Sequence, residues 1–294
     1  MRTLAITGDD FGASRAVNRA IIAAYDCGVL TAASLMVSGD AADEAVVLAR
    51  ARPGLSVGLH LVLVDGRAAS LPSAIPRLVG PDGQFCAGPI RAGLRYQFSP
   101  GARRELAREI HAQLQRFAAT GLTLSHVDGH HHLHLHPVVL GLVAEAARAL
   151  SLRIPAIRLP SEELGLARRL DPGRVANKIA SRTVFALLRR YGRKRLAGSG
   201  VGFSDRVYGL LATGRITEKY LLGLIPLIRA KHVEIYCHPA DPLPGERGPE
   251  TPALGREELH ALTSPRVRAA IEGAGFVPSR RPPLFAARAP GSHA

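Results

Sequence analysis

The chain of 294 residues contains no tryptophan, only three cysteines and only four lysines, and 5 % of it is aromatic. Each scarcity excludes something. Cys27, Cys86 and Cys237 are odd in number, far apart and in no C-x-x-C pair, which argues against a disulfide scaffold or a cysteine zinc module and fits a reducing cytosol. Few aromatics leave few stacking platforms for single-stranded nucleic acid. No apolar run approaches the length that spans a bilayer. The short apolar stretch 4–6 is too brief for a secretory signal and lacks a small-residue cleavage site, so a cytoplasmic protein is expected. The net charge of +14 comes almost wholly from arginine, a skew read first as compositional bias rather than as a nucleic-acid footprint.

What is present is regular alternation. Strand-like runs at 3–8, 33–37, 55–60, 122–128, 156–160, 201–205, 233–237 and 275–278 alternate with helical patterns at 14–28, 41–51, 102–119, 137–150, 216–230 and 264–273. Seven or eight such alternations predict an α/β chain with a parallel sheet, doubly wound or closed. Polar residues gather just after the strands: Asp9, Asp10, His60, Asp128, Arg158, Asp205 and His238. A barrel brings all C-terminal strand ends to one rim, so this pattern favours a distorted β/α barrel, TIM-barrel-like, as a single domain over 1–280. Residues 65–100 read as a long functional loop, 161–198 as a basic helical insertion, and 281–294 as a disordered tail.

Six of twelve histidines fall between His126 and His136. Neutral imidazole is the commonest nitrogen ligand of divalent transition metals, so the cluster predicts a metal site, against the alternative of a loop that binds metal adventitiously. A catalytic site takes about three protein ligands, so most of the six have other roles. Spacing allows His126 and His130 on a helical turn, or alternate residues on an extended segment. Asp9 and Asp10 at a strand end suit one ligand and one proton acceptor, against an N-cap or Asx turn. His60 and His238 each end a strand, and Pro239 would stop the ladder and present His238 to the rim.

The stretches Ala5–Gly12 with Asp9-Asp10-Phe11-Gly12, Gly58-Leu59-His60, His126 to His134 and Tyr236-Cys237-His238-Pro239 resemble the YdjC-type carbohydrate deacetylases, in the same order along residues 1–280. Within that family the stretch 202–209, with 214–217, is most similar to the branch associated with hopanoid biosynthesis. The resemblance implies one divalent ion, zinc or magnesium, held by Asp10, His60 and His130. It further implies Asp9 as catalytic base, His238 as general acid and Arg158 as the residue that orients the base. Asp128, His132 and Asp205 are expected to steady the ligands or touch substrate, with loop capping as the alternative for Asp128. The implied reaction is deacetylation of an amino sugar, lipid-linked N-acetylglucosamine first and soluble chito-oligosaccharides second. A basic nucleic-acid-binding protein with an incidental histidine cluster is the competing class; no recognised motif supports it. The segment 168–196 carries ten basic residues against Asp171 alone, which predicts either a solvated insertion packed on the barrel or peripheral contact with the inner membrane surface.

Overall fold

Every ladder of the sheet is parallel, which demands a crossover between successive strands and a helix to cover each face. A computed structural model describes residues 1–244, 246 and 252–279; the expected tail lies outside the described residues. The chain begins with β1 (Arg2–Phe11), α1 (Arg15–Asp26), β2 (Ala32–Leu35), α2 (Ala42–Arg50) and β3 (Ser56–Leu61). It continues through α3 (Pro89–Phe98), α4 (Pro100–Ala119), β4 (Leu124–Gly129), α5 (Pro137–Ala149), α6 (Leu164–Leu170) and α7 (Val175–Leu196). β5 (Arg206–Tyr208), α8 (Glu218–Leu224), β6 (His232–Cys237), α9 (Pro252–Thr263), α10 (Pro265–Gly273) and β7 (Phe276–Pro278) follow.

The strand order is β4-β3-β2-β1-β6-β5, with β7 paired to the first residues of β1. The sheet curls into a half-barrel, extended beyond β4 by single bridges, Val127 to Ile157 and Ala156 to Gly202. The result is the distorted, TIM-barrel-like α/β fold expected from the alternation. Two expected strands shrink here. Of 156–160 only Ala156 and Ile157 join the wall, between Pro155 and Pro160, which have no N–H to donate. The expected strand 201–205 contributes one bridge, and the ladder to β6 forms instead at 206–208.

Helices earn their places by apolar stripes. α4 buries Leu106, Ile110, Leu114 and Phe117 on one side, as their spacing predicts. Ser14 caps α1 by accepting the N–H of Val17 at 3.3 Å. The expected loop 65–100 is more ordered than its Pro/Gly punctuation indicates, since Pro89 starts α3. Its earlier part is tied to α4: Glu109 accepts the N–H groups of Ala69 and Ser70, and Glu105 accepts that of Arg77 at 2.7 Å. α9 was not anticipated from the sequence, and its Glu258 proves to matter at the rim.

Candidate metal centre

Adjacent side chains on a regular strand point to opposite faces, so Asp9 and Asp10 should not both reach the barrel mouth. Backbone geometry resolves this. The β1–β2 register shifts between Gly8 and Phe11, and Asp10 sits at φ 62°, in the left-handed region. The bulge re-aims Asp10 while Asp9 keeps the inward parity of Thr7. Gly12, at φ 91°, completes the turn; a Cβ there would meet the Met36 carbonyl at 3.0 Å. Asn18 holds the turn by accepting the Gly12 N–H at 2.8 Å.

Asp10 faces two imidazoles. Its Oδ1 lies 3.3 Å from His60 Nε2 and 3.1 Å from His130 Nδ1. Potential ligand atoms of Asp10, His60 and His130 all lie within 4.8 Å of one another. On the far side of the His60 ring, Nδ1 meets Asp128 Oδ1 at 2.8 Å. A carboxylate behind an imidazole fixes its tautomer and leaves Nε2 for a cation. We predict that Asp128→Asn weakens divalent-metal affinity by roughly 10–100-fold, read by isothermal titration calorimetry.

The histidine cluster is divided by two successive left-handed residues, His131 (φ 51°) and His132 (φ 55°). His130 turns to Asp10, while His131 reaches Asp65 at 3.1 Å near the surface. His132 Nε2 lies 2.8 Å from the Tyr236 hydroxyl, and His134 Nε2 donates to the Arg158 carbonyl at 2.8 Å. His126 stays on β4, between the hydroxyls of Ser34 and Ser125 and against Gly58, where a Cβ would lie 2.4 Å from the ring. Pairing of His126 with His130 on a helical turn therefore does not occur. His136 caps α5 by accepting the Val138 N–H. Burial pushes the His134 imidazole down to about 4 and holds that of His132 well below the usual range, so both are neutral supports.

Behind the group lies a buried charge network centred on Arg158. Its guanidinium grips both oxygens of Asp9, at 2.6 and 2.8 Å. It also reaches Asp128 at 2.7 Å and Glu234 at 2.8 Å. Ser34 donates to Asp128 at 2.7 Å and Thr7 to Glu234 at 3.1 Å. Burial opposes charge on the guanidinium, yet the three carboxylates hold the Arg158 pKa well above its usual value. Burial likewise opposes charge on Asp128, and Arg158 with His60 still keeps it well below the carboxylate range. For His60, burial is outweighed by Asp128 and Asp10, which raise it to about 10. Against burial, His130 and His60 hold Asp10 well below its usual value. The electrostatics thus favour positive charge between Asp10 and the imidazoles, as a metal centre requires. Asp9, His60 and Asp128 form a second group with ligand-like spacing, but Arg158 already serves as the cation for its carboxylates.

His238 follows β6, one residue beyond the Gly8–Cys237 pair, as Asp9 is on β1. Its backbone N–H donates to Glu258 of α9, and its Nδ1 is buried with no hydrogen-bond partner. The structure thus brings Asp10, His60 and His130 into contact and connects Asp9, Arg158 and Asp128 behind them. It does not bring Asp205 there. Because the strand begins at Arg206 and not at 201, Asp205 precedes β5 and accepts the N–H of His232, the first residue of β6, at 2.9 Å. That is the opposite end of the barrel. Glu234 and Ser34 were missed; Glu234 is a charged residue in an apolar strand and shares the parity of Tyr236 and His238.

A model of the family described as YdjC-like protein matches residues 3–273, and the chain belongs to that family. It is 41 % identical over 157 residues to the carbohydrate deacetylase of Brevibacillus brevis, covering 53 % of this chain and 59 % of that protein. This chain thus spans less than two thirds of that relative's length. It is 31 % identical to the chitooligosaccharide deacetylase of Serratia marcescens over 94 % of this chain and 96 % of that one. A solved structure from Enterococcus faecalis shares the fold: TM-score 0.68 at 24 % identity, covering 95 % of this chain and 97 % of that one.

Proposed function

We propose that the protein is a metal-dependent hydrolase that removes the acetyl group from an N-acetylated amino sugar. The observation that carries this reading is the Asp10–His60–His130 group beside Asp9, a separate carboxylate clamped by Arg158. Asp10, His60 and His130 would hold one divalent ion. Two imidazoles favour zinc or a similar late transition metal, and the carboxylate also suits magnesium. Such an ion supplies Lewis acidity, polarising an acyl oxygen and acidifying water.

The residues of the chain do the rest. Asp9, fixed by the Arg158 fork, accepts the proton of the attacking water as the amide carbon becomes tetrahedral. An amine leaves only when protonated, and the His238 imidazole is the donor assigned to that step in this reading. Asp128 keeps His60 in one tautomer, and His132 with Tyr236 braces the loop that carries His130.

The finer reading is a lipid-linked substrate, an N-acetylglucosaminyl hopanoid, with the protein cytoplasmic and peripheral at the inner membrane surface. The resemblance over 202–209 supports it, as does the basic segment 168–196. A cavity of about 390 Å³ is lined by Glu162, Phe185, Arg189 and Leu211 among others, and in this reading it takes the remainder of the substrate. Phe185 also packs edge-on against His132, at 5.4 Å between ring centroids. No helix among the described residues is long and apolar enough to cross a membrane. The names of the relatives favour a second reading, deacetylation of soluble chito-oligosaccharides. The test is acetate release from acetylglucosaminyl bacteriohopanetetrol and from chitobiose, assayed side by side with added metal. The expected result is a higher kcat/KM on the lipid-linked substrate. A preference for chitobiose contradicts the finer reading, and release from neither contradicts the activity.

A further inference from the structure

Among the described residues, exposed large apolar side chains are concentrated on two helices. On α3, Ile90, Leu94 and Phe98 recur every fourth residue and are 82 %, 56 % and 75 % exposed, opposite the buried Ala92 and Tyr96. On α7, Val184, Leu187 and Tyr191 form a second exposed stripe, with Phe185, Gly192 and Leu196 turned toward the barrel. Neither helix contains an aspartate or glutamate. Exposed Arg190, Lys194 and Arg195 flank the α7 stripe, and Arg91 lies beside that of α3.

Both helices grip the same loop. Tyr96 of α3 stacks edge-on with His136 at 6.3 Å, and Phe185 of α7 does so with His132 at 5.4 Å. The loop 130–136, which carries His130, thus packs against both helices, and neither apolar stripe takes part in those contacts. An apolar stripe edged by cations and free of acids is the pattern of a helix lying in a lipid interface, where long basic side chains reach headgroup phosphates.

We propose that α3 and α7 together form a docking face for an anionic lipid bilayer, seated beside the metal centre. A second copy of the chain is disfavoured as occupant, because both helices and the chain as a whole carry the same sign of charge. The inference extends the lipid-linked reading above by adding α3 and assigning the apolar contacts, and it stands or falls apart from it. One weakly held element becomes stable when joined to a second, as two membrane signals do.

The experiment is flotation of the full chain with vesicles of phosphatidylcholine alone or with about 30 % phosphatidylglycerol. The expected result is co-flotation with the anionic vesicles only, weakened by added salt. Two triple variants separate the helices: I90S/L94S/F98S and V184S/L187S/Y191S. Each is expected to lower the bound fraction about tenfold while circular dichroism and acetate release from chitobiose stay unchanged. Absence of flotation by the parent chain overturns the proposal, as does undiminished flotation of both variants. A concentration-dependent dimer lost in both variants assigns the face to a second copy and also overturns it. Flotation without acetate release from any substrate sinks the deacetylase reading and leaves the docking face standing; release without flotation does the reverse.

Discussion

Replacing Asp9 with asparagine is expected to lower kcat for acetate release by roughly 10²–10⁴-fold while leaving divalent-metal affinity within about threefold of the parent. The expectation rests on the division of labour at the tip of β1. Asp10 meets His60 and His130, whereas both oxygens of Asp9 are taken by Arg158. An amide at position 9 retains the shape and one acceptor but takes up no proton. It also turns an NH2 group toward the guanidinium, so a stability loss of about 1–3 kcal/mol accompanies the kinetic effect. Calorimetric metal titration and a thermal melt, run beside the assay, separate these consequences. Parallel loss of metal binding would place Asp9 among the ligands instead.

The second large effect concerns Arg158. Its guanidinium contacts Asp9, Asp128 and Glu234 together, and its side chain is fully buried. Arg158→Met removes that charge and leaves three carboxylates facing one another away from water. Breaking a buried pair costs about 3–5 kcal/mol, and the cost here belongs at the upper end because three carboxylates lose the same guanidinium. Activity falls with it, since Asp9 loses its clamp. Arg158→Lys does not rescue either property, because an ammonium lacks the fork that meets both Asp9 oxygens at once. Denaturant melts of the two variants check this; a methionine variant as stable as the parent contradicts the described network.

The alternation of strand and helix was readable in the chain because buried parallel strands and amphipathic helices leave different periodicities. Positions near strand ends were readable for the same reason, and His60, Asp128 and the two aspartates lie where that reasoning puts them. Where it failed, the cause was local. Asp205 was assigned to a strand end, yet the ladder begins one residue after it, so a shift of the strand along the chain moves that carboxylate to the opposite mouth of the barrel. No pattern of residue types announces the bulge at Asp10, because it arises from backbone geometry between Gly8 and Phe11. Nor does composition say which of six histidines turns toward Asp10; that follows from the left-handed pair His131 and His132. Glu234 was within reach, as a charged residue inside an otherwise apolar strand, in register with His238. α3 was hidden by its Gly-Pro start, which reads as loop when the helix after it is short.

The proposed hydrolysis requires a cation in the space bounded by Asp10, His60 and His130. A crystal grown with zinc and measured across the zinc absorption edge tests that directly. The predicted result is one anomalous peak about 2.0–2.2 Å from a carboxylate oxygen of Asp10 and one ring nitrogen each of His60 and His130, with Asp9 still on Arg158 and outside bonding distance. A peak bound by Asp9 and Asp128, or by His131 and Asp65 at the surface with the inner group empty, contradicts the account.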